Sequence, residues 1–317
     1  MNSSFLHATI DGEIATLSVQ RPASDNALNG AVVCQLGEAF RQAAADRAVG
    51  GIVIGRAEQP FVSGADVPFF IRNIKSGDID RIVAFTRMAQ DLLGEMDRCA
   101  KPVVACIHGA ALGAGLEMAL ACDRIVVSTR TTLGLPETRL AIYPGLGGTQ
   151  RLPRRIGIGL AKWLIFTGAR IPATVAAQIG LVDQVVEPDR LDHAARDVAM
   201  SLADARDSGG PAAVDLRPEH VALRDFFASH SGEAIQQGRA DTGGDKQLTM
   251  AACQVAAAGS IAIRIADWLI DTGMALPLED ALQLEIDHLI DVFTTEDALA
   301  GLQSVLTKGR APTFRGR

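Results

Sequence analysis

Three short runs decide what this chain can fold into: Gly51-Ile-Val-Ile-Gly55, Pro102-Val-Val-Ala-Cys-Ile107 and Arg124-Ile-Val-Val-Ser128. Each is apolar without alternation and bounded by glycine, proline or a polar residue. A strand buried on both faces reads this way, and such strands belong chiefly to parallel sheets covered by helices. Helical spacing of apolar residues over Ala31–Ala45 precedes the first run, and the same spacing over Ile82–Met96 separates the first from the second. Ile14–Val19 alternates in strand fashion and is closed by Arg21-Pro22. The class is α/β.

From about residue 190 the pattern turns helical: Leu191–Ala203, Ile261–Thr272, Leu278–Val292 and Glu296–Thr307. Residues 1–203 are therefore expected to form an α/β core and residues 248–317 a helical region. Between them, 204–247 is set apart as an insertion or lid, with Gly209-Gly210-Pro211 and Gly243-Gly244 near its ends and a helix around Pro218–Gly238.

Composition removes several function classes. A formal charge of −7, a pI near 5.4 and the lack of a basic run interleaved with aromatics argue against a nucleic-acid partner, since phosphate binding leans on clustered Lys and Arg. The five cysteines (34, 99, 106, 122 and 253) lack the CxxC spacings of zinc or redox sites. Cys106 and Cys122 lie in apolar runs and read as small buried thiols. The start, MNSSFLHATIDGEIATL, has no basic segment followed by an apolar one. Apolar stretches fall short of the roughly 18 residues a membrane span needs. The expectation is a cytoplasmic protein with no membrane partner.

Chemistry is suggested by Glu117 and Glu137, each beside a glycine-rich turn. Acid/base work on an uncharged carbon skeleton needs a proton donor, an acceptor and a stabiliser for the charge between them. Gly113-Ala114-Gly115 follows the strand ending at Ile107 and opens a helix whose first amides have no intrahelical partners. An isolated GxG, however, more often reports tight helix–sheet packing. A second backbone donor is available in Phe61-Val62-Ser63-Gly64-Ala65-Asp66, after the strand Gly51–Gly55. Two such loops on neighbouring strands would converge on one oxygen, which is an oxyanion hole.

Other chemistries fit poorly. Ser63 is no nucleophile elbow, because GxSxG is absent, and His108 beside Gly109 reads as structural. Gly145-Leu-Gly-Gly-Thr149 lacks the GK[ST] of a phosphate loop. No His/Cys/Asp cluster has metal-ligand spacing, so no metal is expected.

Asn26-Ala27-Leu28-Asn29, Ser63–Asp66, Gly109–Asp123, Pro136–Pro153, Gly180-Leu-Val-Asp183, Phe293–Gly301 and Thr313–Arg317 occur in order. Together they resemble the enoyl-CoA hydratase/isomerase, or crotonase, family over essentially the whole chain outside 204–247. The resemblance implies a crotonase-like spiral of ββα repeats with a C-terminal helical region that mediates assembly into a homotrimer or a dimer of trimers. It implies an acyl-CoA thioester substrate and no cofactor, coenzyme A being part of the substrate. The Ala65 and Ala114 amides would hold the thioester oxygen, Glu117 would activate water, Glu137 would exchange the proton at C2, and the Gly145 amide would orient that glutamate or its water. Ala27, Leu28, Val62, Gly64, Asp66, Val67, Pro68, Tyr143, Lys308 and Phe314 would line the substrate site. Three positions depart from the family's commonest pattern: Ala114 for the middle glycine of a GGG run, Pro68 for a lysine, and Tyr143 for an aliphatic residue or Phe. The activity implied is hydration of a 2-enoyl-CoA. The alternatives are Δ3,Δ2-enoyl-CoA isomerisation or another crotonase-type acyl-CoA reaction, and a non-catalytic CoA-thioester binding protein.

Overall fold

The apolar runs become strands because each can bury both faces between layers of helix. A computed structural model describes residues 5–205, 214–307 and 312–317. Among them are nine strands: β1 (Leu6–Asp11), β2 (Ile14–Val19), β3 (Gly51–Ile54), β4 (Val103–Ile107), β5 (Ala110–Leu112), β6 (Arg124–Ser128), β7 (Thr132–Gly134), β8 (Arg170–Pro172) and β9 (Gln184–Val186). Six form a sheet in the order β1-β2-β3-β4-β6-β9, and β5-β7-β8 form a smaller one. β1 and β2 pair as a hairpin with Asp11 opposite Ile14, turning through Gly12 at φ 57°. All other pairings in the large sheet are parallel, with Ile14 opposite Gly51, Ile52 opposite Val103, Val104 opposite Arg124 and Val126 opposite Gln184.

The chain divides into two compact units, each drawn from separate stretches. The first comprises Met1–Asp66, Met88–Leu133 and Ile171–Val214; the second comprises Val67–Arg87, Gly134–Arg170 and Asp215–Arg317. In the first unit, helix Leu191–Ala205 covers one face of the large sheet, burying Leu191, Ala195 and Ala199 against Ile14, Val53, Val104, Cys106 and Val126. Each larger aliphatic side chain here contributes about 1.5–3 kcal/mol relative to exposure. Cys106 and Cys122 are buried, as their apolar surroundings predict.

The second unit is helical. Helix Ile158–Thr167 is buried on every side apart from its first residue and forms the unit's core. Gly159 lets it approach helix Pro218–Ser229 so closely that a Cβ there would lie 2.1 Å from the Arg224 carbonyl oxygen. Its lysine, Lys162, is only 4% exposed and is neutralised by Asp267 and Asp271, each at 2.7 Å. Within the stretch 204–247, residues 206–213 lie outside the described residues. The helix expected over Pro218–Gly238 is two, Pro218–Ser229 and Gly232–Gln236, the second capped by the Ser231 hydroxyl.

The single helix expected over Leu278–Val292 is also two, Leu278–Asp287 and Leu289–Phe293. The break falls at His288, whose ring Nδ1 lies 2.9 Å from the Leu284 carbonyl oxygen, the acceptor a continuing helix would offer to the His288 amide. Leu282, Ile286, Leu289, Val292 and Leu302 are covered within the chain itself. Much of the apolar surface of the C-terminal helices is therefore internal, while Met250, Trp268, Ile290, Val305 and Leu306 are exposed.

Candidate active site

The first unit holds both turns expected to donate amides. β3 and β4 are parallel neighbours, so the loops leaving their C-terminal ends rise from one edge of the sheet. Beyond β3 the chain bends at Gly55 (φ 96°), where a Cβ would sit 2.3 Å from the Cys106 carbonyl oxygen. Further along, Leu28 N–H donates to Gly64 O and Asp66 N–H donates to Leu28 O, both at 2.9 Å, forming a one-residue parallel bridge between Leu28 and Ala65. The bonds on that side belong to Gly64 and Asp66. Alternation of extended backbone therefore turns the Ala65 N–H the other way.

Ala114 begins helix Ala114–Leu120, whose N-cap Gly113 supplies no side-chain cap. Its amide is one of the first-turn donors without an intrahelical acceptor. The two turns rest on each other. A Cβ on Gly115 would fall 1.9 Å from Val62 O and 2.8 Å from Val62 C, and one on Gly64 would fall 3.7 Å from Leu112 O. Gly115 is thus a packing glycine, and this packing is what sets Ala114 beside Val62–Ala65. One turn later comes Glu117, 2% exposed between the fully buried Leu116 and Met118.

The surrounding loop is held by its own polar residues. Asn26, buried and at φ 58°, donates from Nδ2 to Pro60 O (2.6 Å) and accepts the Arg21 N–H (2.7 Å). Asn29 caps the helix Gly30–Ala45 by accepting from Val32 N–H. Ala27 and Leu28 are buried, at 8% and 3% exposure, so what they present is chiefly backbone. Asp66 is paired with Arg21 at 2.7 Å, and Arg21 also donates to Ala27 O. His108 is structural: its Nδ1 lies 3.1 Å from Ser128 Oγ, which meets Thr131 Oγ1, which in turn donates to Ile107 O.

The second unit carries Glu137, half-buried, at the start of a short 3-10 turn, Glu137–Leu140, closed by Ala141 at φ 56°. Glycines let neighbouring segments press on that turn's backbone. A Cβ on Gly301 would lie 2.2 Å from Leu140 O, one on Gly259 would lie 2.6 Å from Ala141 Cα, and one on Gly168 would lie 3.2 Å from Pro136 Cα. Thr138, fully buried, donates from its hydroxyl to Ile165 O (2.6 Å), while its carbonyl accepts the Gly259 N–H (3.0 Å). Helices Ser260–Gly273 and Glu296–Thr307 therefore locate the Glu137 turn.

Tyr143 is 2% exposed, and its hydroxyl donates to the Glu285 backbone carbonyl. Burial, with the nearby Glu285 charge, pushes this phenol far above its ordinary value, so it is a neutral donor. Glu285 was not anticipated from sequence. It is fully buried, and its carboxylate accepts from Gly147 N–H (2.7 Å), Thr149 N–H (3.1 Å) and Thr149 Oγ1–H (2.5 Å). One signal existed: Gly147 begins the helix Gly148–Ile156 with no capping side chain, so a distant acceptor was required.

Pro68, exposed, is the second residue of helix Val67–Ser76, where its missing N–H leaves no helical bond unmade. Phe70 of that helix stacks on Phe293, with ring centroids 5.4 Å apart. Phe314 is half-buried on a tail fixed by Asp297, whose carboxylate accepts the Arg315 and Gly316 amides. Lys308 lies outside the described residues. Among the described residues no three His, Cys, Asp or Glu side chains are grouped as metal ligands, and no single helix is long and apolar enough to cross a membrane.

The family model described as enoyl-CoA hydratase/isomerase matches residues 9–213. A short-chain-enoyl-CoA hydratase of Clostridium acetobutylicum is 35% identical over 212 residues, covering 67% of this chain and 78% of that protein. A crotonyl-CoA hydratase of Syntrophomonas wolfei is 29% identical over 300 residues, covering 94% of each chain. Among solved structures, a carnitinyl-CoA dehydratase from Mycobacterium thermoresistibile superposes with a TM-score of 0.83 at 21% identity, over 99% of this chain and 92% of the other. An enoyl-CoA hydratase from Rhodobacter sphaeroides gives a TM-score of 0.81 at 21% identity, over 99% and 93%. At that identity the superpositions establish the fold, which is the crotonase fold expected from the motifs. The match over residues 9–213, the 35% identity to the Clostridium acetobutylicum protein and the shared fold place this chain in the enoyl-CoA hydratase/isomerase family.

Proposed function

We propose that this protein is an enoyl-CoA hydratase that adds water across the 2,3 double bond of a short-chain 2-enoyl-CoA such as crotonyl-CoA. The observation that supports the proposal is the close seating of Gly115 on the Val62 carbonyl, which brings the start of the helix Ala114–Leu120, with Glu117 one turn in, against the segment leading to Ala65. Water bonds to C3 as Glu117 takes its proton. The π electrons of the double bond move onto the thioester oxygen, and the two amides stabilise the enolate that forms. C2 then receives a proton from Glu137, which enters the step as the carboxylic acid, and the proton taken by Glu117 passes back to Glu137 through water to reset the pair. Donors aimed at the developing charge act more strongly than donors matched to the ground state, because only the former lower the barrier.

Gly145 N–H orients Glu137 or the water, and backbone at Ala27, Leu28, Val62 and Gly64 faces the substrate. Asp66, Val67, Pro68, Tyr143 and Phe314 belong to the proposed lining, Asp66 through its Arg21 pair and Tyr143 through its ring. No step needs a cofactor. The relatives named as hydratases of short-chain and crotonyl thioesters motivate the choice of substrate. Assembly as a trimer or a dimer of trimers belongs to the same proposal.

The test is the absorbance of the conjugated enoyl thioester. Crotonyl-CoA should lose it with the wild-type protein, while Glu117→Gln and Glu137→Gln should each lower kcat by orders of magnitude with KM little changed. Gain of absorbance from a 3-enoyl-CoA, faster than loss from crotonyl-CoA, would make isomerisation the main activity. Binding without turnover would make the chain a thioester-binding protein.

A further inference from the structure

The loop 143–149 contains Gly145, Gly147 and Gly148, and glycines leave a backbone wide conformational freedom. A backbone amide on such a loop can orient a carboxylate or a water only if something outside the loop fixes it. One residue grips the loop at both ends. At the first end the Tyr143 hydroxyl donates to the Glu285 backbone carbonyl. At the other end, Gly147 N–H, Thr149 N–H and the Thr149 hydroxyl all donate to the Glu285 carboxylate. The same face of that segment supplies the packing: a Cβ at Gly145 would meet Leu289 Cδ2 at 3.4 Å, and one at Gly147 would meet Leu282 Cδ2 at 3.0 Å. Glu285 is fully buried, far from Gly145 in sequence, and touches the loop on either side of that residue.

We propose that Glu285 is a positioning residue for hydration, holding the Gly145 amide in its working orientation by bracketing the loop that carries it. The inference rests on the hydratase reading above, since Gly145 matters to catalysis only within it. Orientation of this kind governs kcat: a displacement of about 1 Å can slow a reaction on the order of 10²-fold. A carboxylate that served only to cap the helix Gly148–Ile156 would contribute to stability and leave turnover per folded molecule unchanged.

Glu285→Gln keeps the volume but turns an NH2 group toward one of the loop's N–H donors. Its kcat for crotonyl-CoA should fall between about 10- and 10²-fold with KM within about twofold. Tyr143→Phe removes the other grip without touching the carboxylate and should lower kcat about threefold at unchanged KM, a measurement that stands even if Glu285→Gln does not fold. Combined with Glu137→Gln, Glu285→Gln should add no further loss, because both act on one step. If Glu285→Gln and Tyr143→Phe each keep kcat within twofold per folded molecule, or lose only thermal stability, Glu285 is a helix cap and the inference fails. Amide exchange read without substrate separates this failure from failure of the hydratase reading. Unaltered exchange at Gly147 and Thr149 in Glu285→Gln overturns the inference even where Glu137→Gln is inactive. A fully active Glu137→Gln overturns the hydratase reading instead.

Discussion

Replacing Gly115 by alanine tests the seating of the two amide-bearing turns directly. The added methyl carbon would start 1.9 Å from Val62 O and 2.8 Å from Val62 C, both backbone atoms that no rotamer change can move. Ordinary carbon–oxygen contact begins at about 3.3 Å. The helix start and the Val62 segment must therefore separate by roughly 1.4 Å, in an interior dense enough to transmit the shift. Ala114 is the adjacent residue, so its amide moves with the helix while Ala65 stays with its own turn. A misplacement of that size costs on the order of 10²-fold in rate, equivalent to about 2.7 kcal/mol of transition-state stabilisation. Overpacking adds about 1–3 kcal/mol of lost stability. The assay is steady-state hydration of crotonyl-CoA beside thermal unfolding followed by circular dichroism. A Gly115→Ala protein with kcat within threefold of wild type and an unshifted Tm would refute the reasoning, because the two turns would then not depend on each other.

Three further outcomes are expected. Ala114→Pro removes the amide at the first helical position, where proline is tolerated, so kcat should drop at least about 10²-fold with the helix intact; Ala114→Gly should be nearly neutral, and equal damage from both would assign the role to the methyl group. The chain has one tyrosine, so alkaline absorbance titrates Tyr143 alone. Burial and Glu285 raise it well above the free value of 10.0, so the unfolded chain ionises first and stability falls as pH rises past that value, by about 1.4 kcal/mol per unit from this group; tyrosinate absorbance appearing near pH 10 before unfolding would contradict this. Light scattering should give three or six times 33.4 kDa, with Trp268, Ile290 and Val305 among the residues shielded; a fully active monomer would end the assembly proposal.

Much of the fold was legible because strands buried on both faces cannot be disguised. β3, β4 and β6 appear within a residue of the apolar runs, since a strand covered on both faces needs such a run and glycine, proline or polar residues bound it. Short elements such as β5, β7, β8 and β9 left no comparable mark. Three residues are too few for a period, and their place is decided by partners distant in sequence. The break at His288 was hidden for a related reason: apolar spacing continues through it, while the ring Nδ1 lies 2.9 Å from the Leu284 carbonyl.

Chain order alone determined which chemical groups this protein offers for the proposed reaction. Two glutamates beside glycine turns, and a small residue at each candidate amide, are local patterns that read without coordinates. Tertiary structure decided which atoms those groups present. Gly115 matters for what it permits at Val62, the Tyr143 hydroxyl is bound to Glu285, and the Glu137 turn is located by Gly259 and Gly301, far along the chain. The physical reason is range. Helical and strand periods, and the amides they leave unpaired, are set by neighbours a few residues away. Close backbone approach and the pairing of a buried carboxylate are set by segments distant in sequence, as Gly115 and Val62 are, and Glu285 and Gly147.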